Sequence, residues 1–343
     1  AYRFGRYKKA EPKAVRLATA ADVSALVEAV WLARDLVNTP AEDMGPDALE
    51  AVARELAAAH GAQVSVVTGE ALVAEGYPMV HAVGRAAAKA PRYVEILWGR
   101  EGARKLALVG KGVTFDSGGL DIKPASGMAL MKKDMGGAAA VLALARLVMG
   151  AGLDVRLSLH LPLVENAISG SAFRPGDVFP TRKGLTVEID NTDAEGRLIL
   201  CDALARACEL EPDLLIDLAT LTGAARVALG PDLAPFYTSD ETLAADFTIA
   251  AAEAGEPVWP MPLWTPYLDD LDSPIADMKN SGGAFAGSIT AALFLSKFVT
   301  APSWMHLDIY AWNPSEKPGR PKGGEATAVR ALWKLIRNRF ATA

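Results

Sequence analysis

Two stretches of this chain carry residue types at spacings that could do chemistry. The first is Asn191-Thr192-Asp193-Ala194-Glu195-Gly196-Arg197-Leu198, which joins a β-like run at 185–189 to a helical run at 198–210. In extended backbone, side chains two residues apart point the same way, so Asp193 and Glu195 would set both carboxylates on one side. Two acids held that close repel unless a cation lies between them. The plainer reading is a polar strand-to-helix turn in which Asp193 or Glu195 caps the helix.

The second stretch follows an apolar run at 105–109. It reads Gly110-Lys111-Gly112-Val113-Thr114-Phe115-Asp116-Ser117-Gly118-Gly119, then Asp121, Lys123, Lys132, Lys133 and Asp134 before Gly136-Gly137. A phosphate-binding glycine loop would need GxxxxGK[ST] or GxGxxG, and neither is present. A serine nucleophile at Ser117 would need Gly-x-Ser-x-Gly and a histidine partner, and both are missing. A glycine-rich loop with solvated charges is the bland alternative. A metal site accounts for more of the residues. Asp116 and Asp134 add two hard oxygen donors to Asp193 and Glu195, and shared carboxylates can hold a pair of cations about 3.5–4 Å apart. The chain has four histidines (His60, His81, His160 and His306), none in HExxH-type spacing, which argues against a histidine-rich zinc site.

Such residues need a rigid frame. Strand patterns at 63–67, 93–98, 105–109, 155–163, 214–218 and 304–309 alternate with helical patterns at 21–37, from after Pro46-Asp47 to about 60, and at 136–148, 198–210, 289–298 and 326–338. That alternation predicts an α/β fold with a central mixed, mainly parallel sheet flanked by helices. Ligands in such folds bind beyond the carboxyl ends of the strands, where the loops after 105–109 and around 191–197 would lie. The net charge of −6 leaves no basic stripe, which argues against nucleic acid or an anionic membrane as the main partner. No apolar run reaches the roughly 18 residues a spanning helix needs. Cys201 and Cys208 are seven apart on one helix face, too far for an easy disulfide, and buried thiols fit a reducing cytoplasm. Residues 1–20 are basic and aromatic without periodicity and read as a connecting arm, and residue 1 is Ala rather than Met, which suggests a trimmed piece of something longer.

Lys111, Asp116, Lys123 and Asp134 followed by the octapeptide at 191–198 resemble the leucyl aminopeptidase (cytosol aminopeptidase) family of dimetal exopeptidases. Asn38-Thr39-Pro40, Asp134-Met135-Gly136-Gly137-Ala138, Ala219-Thr220-Leu221-Thr222-Gly223-Ala224 and His306-Leu307-Asp308-Ile309 match family stretches in the same order, so the resemblance runs from about residue 21 to the end. It implies one catalytic domain at 21–343, with the family's N-terminal domain absent and 1–20 as the inter-domain connection. By position, Asp116 and Glu195 would bridge two divalent metal ions (Zn2+ or Mn2+, with Mg2+ or Co2+ as alternatives). Lys111 and Asp134 would complete one site and Asp193 the other. A lysine ligand must be neutral, which a neighbouring dication can enforce.

The resemblance further implies hydrolysis of the N-terminal residue from peptides with a free amine, by a metal-bridged hydroxide. Lys123 would polarise the carbonyl, and Arg197 would hold a bicarbonate that acts as base. Met131, Thr220 and Gly223 would line an apolar, Leu-like pocket for the first side chain, and Asn191 would place the substrate backbone. Many members read Asp-Ile-Ala-Gly where this chain has Asp308-Ile309-Tyr310-Ala311-Trp312-Asn313, so Tyr310 and Trp312 stand as either pocket walls or core aromatics. The family also implies a cytoplasmic homo-hexamer. Other functions stay open on the residues alone: a catalytically silent or DNA-binding member of the same fold, or a metal-dependent phosphatase or nuclease.

Overall fold

The computed structural model describes residues 21–340; the arm at 1–20 lies outside the described residues. A nine-stranded sheet forms the middle layer. Its order runs Gln63–Thr68, Arg92–Trp98, Val155–Asn166, Arg104–Gly110, Leu214–Ala219, Trp304–Asp308, Ala234–Tyr237, Val258–Pro260, with Gly112–Asp116 pairing to the far end of Val155–Asn166. The four central strands, from Val155–Asn166 across to Trp304–Asp308, are parallel, and antiparallel pairs occur on both sides of them. The mixed, mainly parallel sheet expected from the sequence is therefore present.

Alternation along the strands builds the two helical layers. Leu106, Leu108, Leu214, Ile216 and Leu218 face one core with the helices Ala21–Asn38, Gly136–Gly150 and Val329–Phe340. Ala107, Val109, Leu215 and Ala219 face the other, with the helices Pro78–Gly84, Glu195–Glu209 and Gly287–Ser296. A strand buried on both faces has few polar positions to spare, so polar side chains collect where the strands end. The alanine-rich helix Gly136–Gly150 is buried along nearly its whole length, because small side chains let it lie close to the sheet.

Some elements escape the periodicity. Gly112–Asp116 is a short, glycine-led strand. Ala234–Tyr237 and Val258–Pro260 each contain a proline, which weakens the strand pattern and suits positions toward a sheet edge. The helix predicted at 198–210 starts earlier, at Glu195, and its N-cap Ala194 gives no side-chain hydrogen bond. Asp193 sits in the preceding turn. Neither extended backbone at 193–195 nor an acid-capped helix is therefore what the chain forms.

The start of the helix Gly136–Gly150 brings two functional loops together. The Lys111 amide donates to the Leu218 carbonyl at 3.0 Å, and the Ala138 amide donates to the Lys111 carbonyl at 2.9 Å. A Cβ on Gly137 would overlap the Leu218 carbonyl oxygen and sit 2.9 Å from the Lys111 nitrogen. Gly150, at the other end of the same helix, has only the His60 ring at 3.7 Å. We expect Gly137→Ala to lower stability by about 2 kcal/mol or more through forced displacement of the helix. Gly150→Ala should change it little, with thermal denaturation of the two variants as the check.

Candidate active site

The carboxyl ends of the parallel strands deliver the site. Lys111 follows Arg104–Gly110, Asp116 ends Gly112–Asp116, Thr220 follows Leu214–Ala219, and Tyr310 lies two residues past Trp304–Asp308. A short 3-10 turn, Met131–Lys133, brings Asp134 up to the start of the buried helix. From the opposite side come Asp193, in its turn, and Glu195, the first residue of its helix.

These groups converge. The Lys111 ammonium reaches Asp134 Oδ2 at 2.6 Å, Glu195 Oε1 at 2.9 Å and the Thr220 carbonyl at 2.9 Å. Lys123 contacts Asp116 Oδ2 at 2.8 Å and also pairs with Asp193. Asp116, Asp193 and Glu195 each offer a carboxylate oxygen within 4.8 Å of the others. Asp134 stands on the far side of Lys111, held by the Thr220 hydroxyl, which donates to its Oδ1 at 2.8 Å. Close packing fixes the lysine as well: a Cβ on Gly196 would lie 2.6 Å from Lys111 Cε.

Two polar residues not singled out from the sequence hold the acid loops in place. Asn166 Nδ2, at the end of its strand, donates to Asp116 Oδ1 at 2.9 Å and to the Thr192 carbonyl at 3.1 Å. Asn280 donates to the Asn191 carbonyl at 2.7 Å and accepts from the amides of Asp190 and Asn191. Thr192 and Asp121 complete the stitching, with the Thr192 amide donating to Asp121 Oδ2 at 2.7 Å and the Asp121 amide donating to Thr192 Oγ1 at 2.8 Å. The one local cue for Asn166 is an amide at the end of a long apolar strand.

The electrostatics follow from burial. Burial, followed by the charge of Asp116, pushes the Glu195 carboxyl up to about 8. The same two causes push Asp193 up to about 6, against the pull of Lys123. Burial opposes the charge on Lys111, yet Asp134, Glu195 and Asp116 together hold its ammonium well above the ordinary lysine range. Lys123 is held up in the same way, chiefly by Asp116 against burial. Burial lowers Arg197 to about 10 even with Asp308 and Glu195 nearby. It also lowers Lys133 to about 8, with Asp134 opposing.

This donor set fits divalent cations. Four acids, Asp116, Asp134, Asp193 and Glu195, share two lysine ion-pair partners among the described residues, Lys111 and Lys123, in a largely buried cluster. Glu195 Oε2 is buried with no hydrogen-bond donor among the described residues. Hard oxygen donors converging with unsatisfied lone pairs suit a hard or borderline dication. A cation among Lys111, Asp134 and Glu195 would take over the place the ammonium proton now fills, since a lysine ligand must be deprotonated.

Nine of the eleven residues assigned roles from the sequence line one cavity of about 310 Å³: Lys111, Asp116, Lys123, Met131, Asp134, Asp193, Glu195, Thr220 and Gly223. Arg197 and Asn191 are not on its wall. Arg197 is buried, and its Nε and Nη1 have no hydrogen-bond partner among the described residues. Asn191 turns its side chain inward, where Oδ1 accepts from the Asp193 amide at 2.8 Å and shapes the turn that presents the acid. The two aromatics separate as well. Tyr310 lines the cavity, whereas Trp312 is half-buried against the core, with the Lys132 ammonium 5.7 Å from its ring.

Several known proteins are similar to this chain. The family model described as "Cytosol aminopeptidase family, catalytic domain" matches residues 31–333. The probable cytosol aminopeptidase of Geobacter sp. (strain M21) is 44% identical over 326 residues, covering 94% of this chain and 66% of that protein. That of Streptomyces coelicolor is 47% identical over 317 residues, covering 91% and 61%. The chain thus spans less than two thirds of the length of these curated relatives. Among solved structures, the cytosol aminopeptidase of Coxiella burnetii superposes with a TM-score of 0.96 at 48% identity, covering 99% of this chain and 75% of that one. The bottromycin maturation enzyme BotP in complex with Mn superposes with a TM-score of 0.92 at 42% identity, covering 98% and 76%. On the family match over residues 31–333 and on these identities, the chain belongs to the cytosol aminopeptidase family, of which it carries the catalytic domain.

Proposed function

We propose that this chain is a metal-dependent aminopeptidase that removes the N-terminal residue from peptides with a free amine. The observation that carries the reading is the convergence of four carboxylates and two lysines in one cavity, with a buried Glu195 oxygen left without a donor. Family membership and a manganese-bound relative support it. Two divalent cations held by Lys111, Asp116, Asp134, Asp193 and Glu195 would supply Lewis acidity and a water activated for attack at neutral pH.

The chain's own groups have separate tasks in this reading. Lys123, firmly charged and on the cavity wall, donates a hydrogen bond to the scissile carbonyl as negative charge gathers on its oxygen. Asn191 acts on substrate only through the turn it caps, which aims Asp193. The guanidinium of Arg197, buried with Nε and Nη1 free of hydrogen bonds among the described residues, has the planar fork to hold a carboxylate-like anion. In this reading that anion is a bicarbonate acting as the base. Leu130 and Met131 give the cavity an apolar wall for the first side chain, beside Thr220 and Gly223. A homo-hexameric, cytoplasmic enzyme goes with the same reading. Among the described residues no helix is long and apolar enough to cross a membrane.

Metal binding is testable without turnover. Mn2+ or Zn2+ added to chelator-stripped protein should raise the melting temperature by several degrees, since a ligand that binds only the folded state stabilises it by mass action. Glu195→Gln should lose most of that rise, and an equal rise in the variant would exclude Glu195 as a ligand. With the same metals, the protein should hydrolyse Leu-p-nitroanilide but not p-nitrophenyl phosphate, and Glu195→Ala should be inactive. Turnover of the phosphate ester alone would refute the reading. Lys123→Ala should lower kcat by about a hundredfold or more while KM changes much less, the pattern left by removing a contact made mainly in the transition state.

A further inference from the structure

One wall of the cavity has a chemistry that the acid cluster does not use. Lys133 is only 5% exposed, yet it lines the cavity, and its ammonium lies 4.8 Å from the centre of the Tyr310 ring. The exposed Arg226 lines the same cavity, with its guanidinium 5.0 Å from that ring. Neither side chain donates a hydrogen bond to, or forms an ion pair with, any of the described residues, and the aromatic ring is their shared contact. The nearest acids are occupied elsewhere. Asp134 is taken by Lys111 and the Thr220 hydroxyl. Asp308 accepts from the Leu221 and Thr222 amides and from Thr222 Oγ1. Two cations on one ring repel each other, and a ring quadrupole only partly offsets that cost. An anion between them would relieve it and would complete the hydrogen bonds both groups lack.

We infer that Lys133, Arg226 and Tyr310 form the end of the pocket for the substrate's first side chain, and that they select a carboxylate there, which makes peptides with N-terminal glutamate or aspartate the favoured substrates. This inference rests on the aminopeptidase reading above and names the substrate class of that same site. The methylene stem of a glutamate would run past Leu130 and Met131, which line the same cavity. The carboxylate would then meet the ammonium and the guanidinium, and a lysine or arginine side chain would be repelled. The same chemistry could instead receive the C-terminal carboxylate of a dipeptide lying in the cavity, so both sources are tested.

The experiment compares kcat/KM of the metal-loaded enzyme for Glu-, Gln-, Leu- and Arg-p-nitroanilide. Glu and Gln have the same shape, so their ratio isolates charge. The expected result is Glu over Gln by about tenfold or more, the size of one charge-assisted hydrogen bond, with Arg the poorest. Arg226→Ala alters an exposed side chain and should fold, and it should bring the Glu-to-Gln ratio close to one; Lys133→Met should do the same. A Glu-to-Gln ratio near one in the native enzyme, with Leu-p-nitroanilide still turned over, overturns the inference and leaves the aminopeptidase reading standing. No turnover of any of the four overturns both. A second arm compares Leu-Gly with Leu-Gly-amide. A tenfold preference for the free acid, lost in Arg226→Ala, would move the carboxylate to the leaving side and overturn its placement at the first side chain.

Discussion

The central constraint on this molecule is the repulsion among Asp116, Asp134, Asp193 and Glu195, drawn from separate loops into one largely buried cluster. Burial makes each charge costly, and proximity makes each cost the others more. Lys111 and Lys123 meet part of that demand. Lys111 bridges Asp134 to Glu195, and Lys123 bridges Asp116 to Asp193. What they leave over is the rise of Glu195 toward 8 and an oxygen with no donor. A site that stays partly unsatisfied in its own structure is one prepared for positive charge from outside.

Holding such a cluster needs backbone that cannot relax away from it. The parallel strands provide part of the answer, since their carboxyl ends all arrive at one edge. The glycines provide the rest. Gly137 lets a buried helix begin against the Leu218 carbonyl, and Gly196 lets another begin against the Lys111 side chain. Side chains at either point would push Asp134 or Glu195 away from Lys111. Asn166 and Asn280 then tie the acid loops by hydrogen bonds to and from the backbone, so the carboxylates are aimed by groups that carry no charge of their own.

Much of this was legible in the chain itself. The alternation of strands and helices foretold the layered sheet, the metal reading of Asp116, Asp134, Asp193 and Glu195 implied that their loops meet, and the family resemblance added Lys111 and Lys123. Backbone conformation at 193–195 was misjudged, because an i, i+2 pair looks the same in a strand as in a turn running into a helix; only the hydrogen bond from the Asp193 amide to Asn191 decides it. Asn166 and Asn280 could not be found by spacing, since a lone amide becomes a positioning group only through a neighbour distant in sequence. Tyr310 and Trp312 read alike in the sequence, each as wall or core. Their separation depends on where the chain turns after Trp304–Asp308, a tertiary fact. Arg226 gave no signal, as a surface arginine in a short helix.

The cavity wall carries both signs of charge, and one short segment contributes to both. Met131–Lys133 is a single 3-10 turn that runs into Asp134. Asp134 sends its carboxylate to Lys111 and the acid cluster, while Lys133, its neighbour in sequence, sends its ammonium to Tyr310. A peptide with a free amine carries positive charge at the atom next to the scissile bond, so the acid end, or cations held there, can anchor it. Lys133 and Arg226 offer the reverse polarity on the wall of the same cavity, which Leu130 and Met131 also line. Because neighbouring residues supply both signs of charge, a shift of this turn would move both together. The turn is pinned on the outside by Lys132, whose ammonium donates to the Asn38 carbonyl at 2.6 Å. Three consecutive residues therefore link the N-terminal helix, the selective wall and the acid cluster, which couples the substrate's first side chain to the placement of the bond being cut.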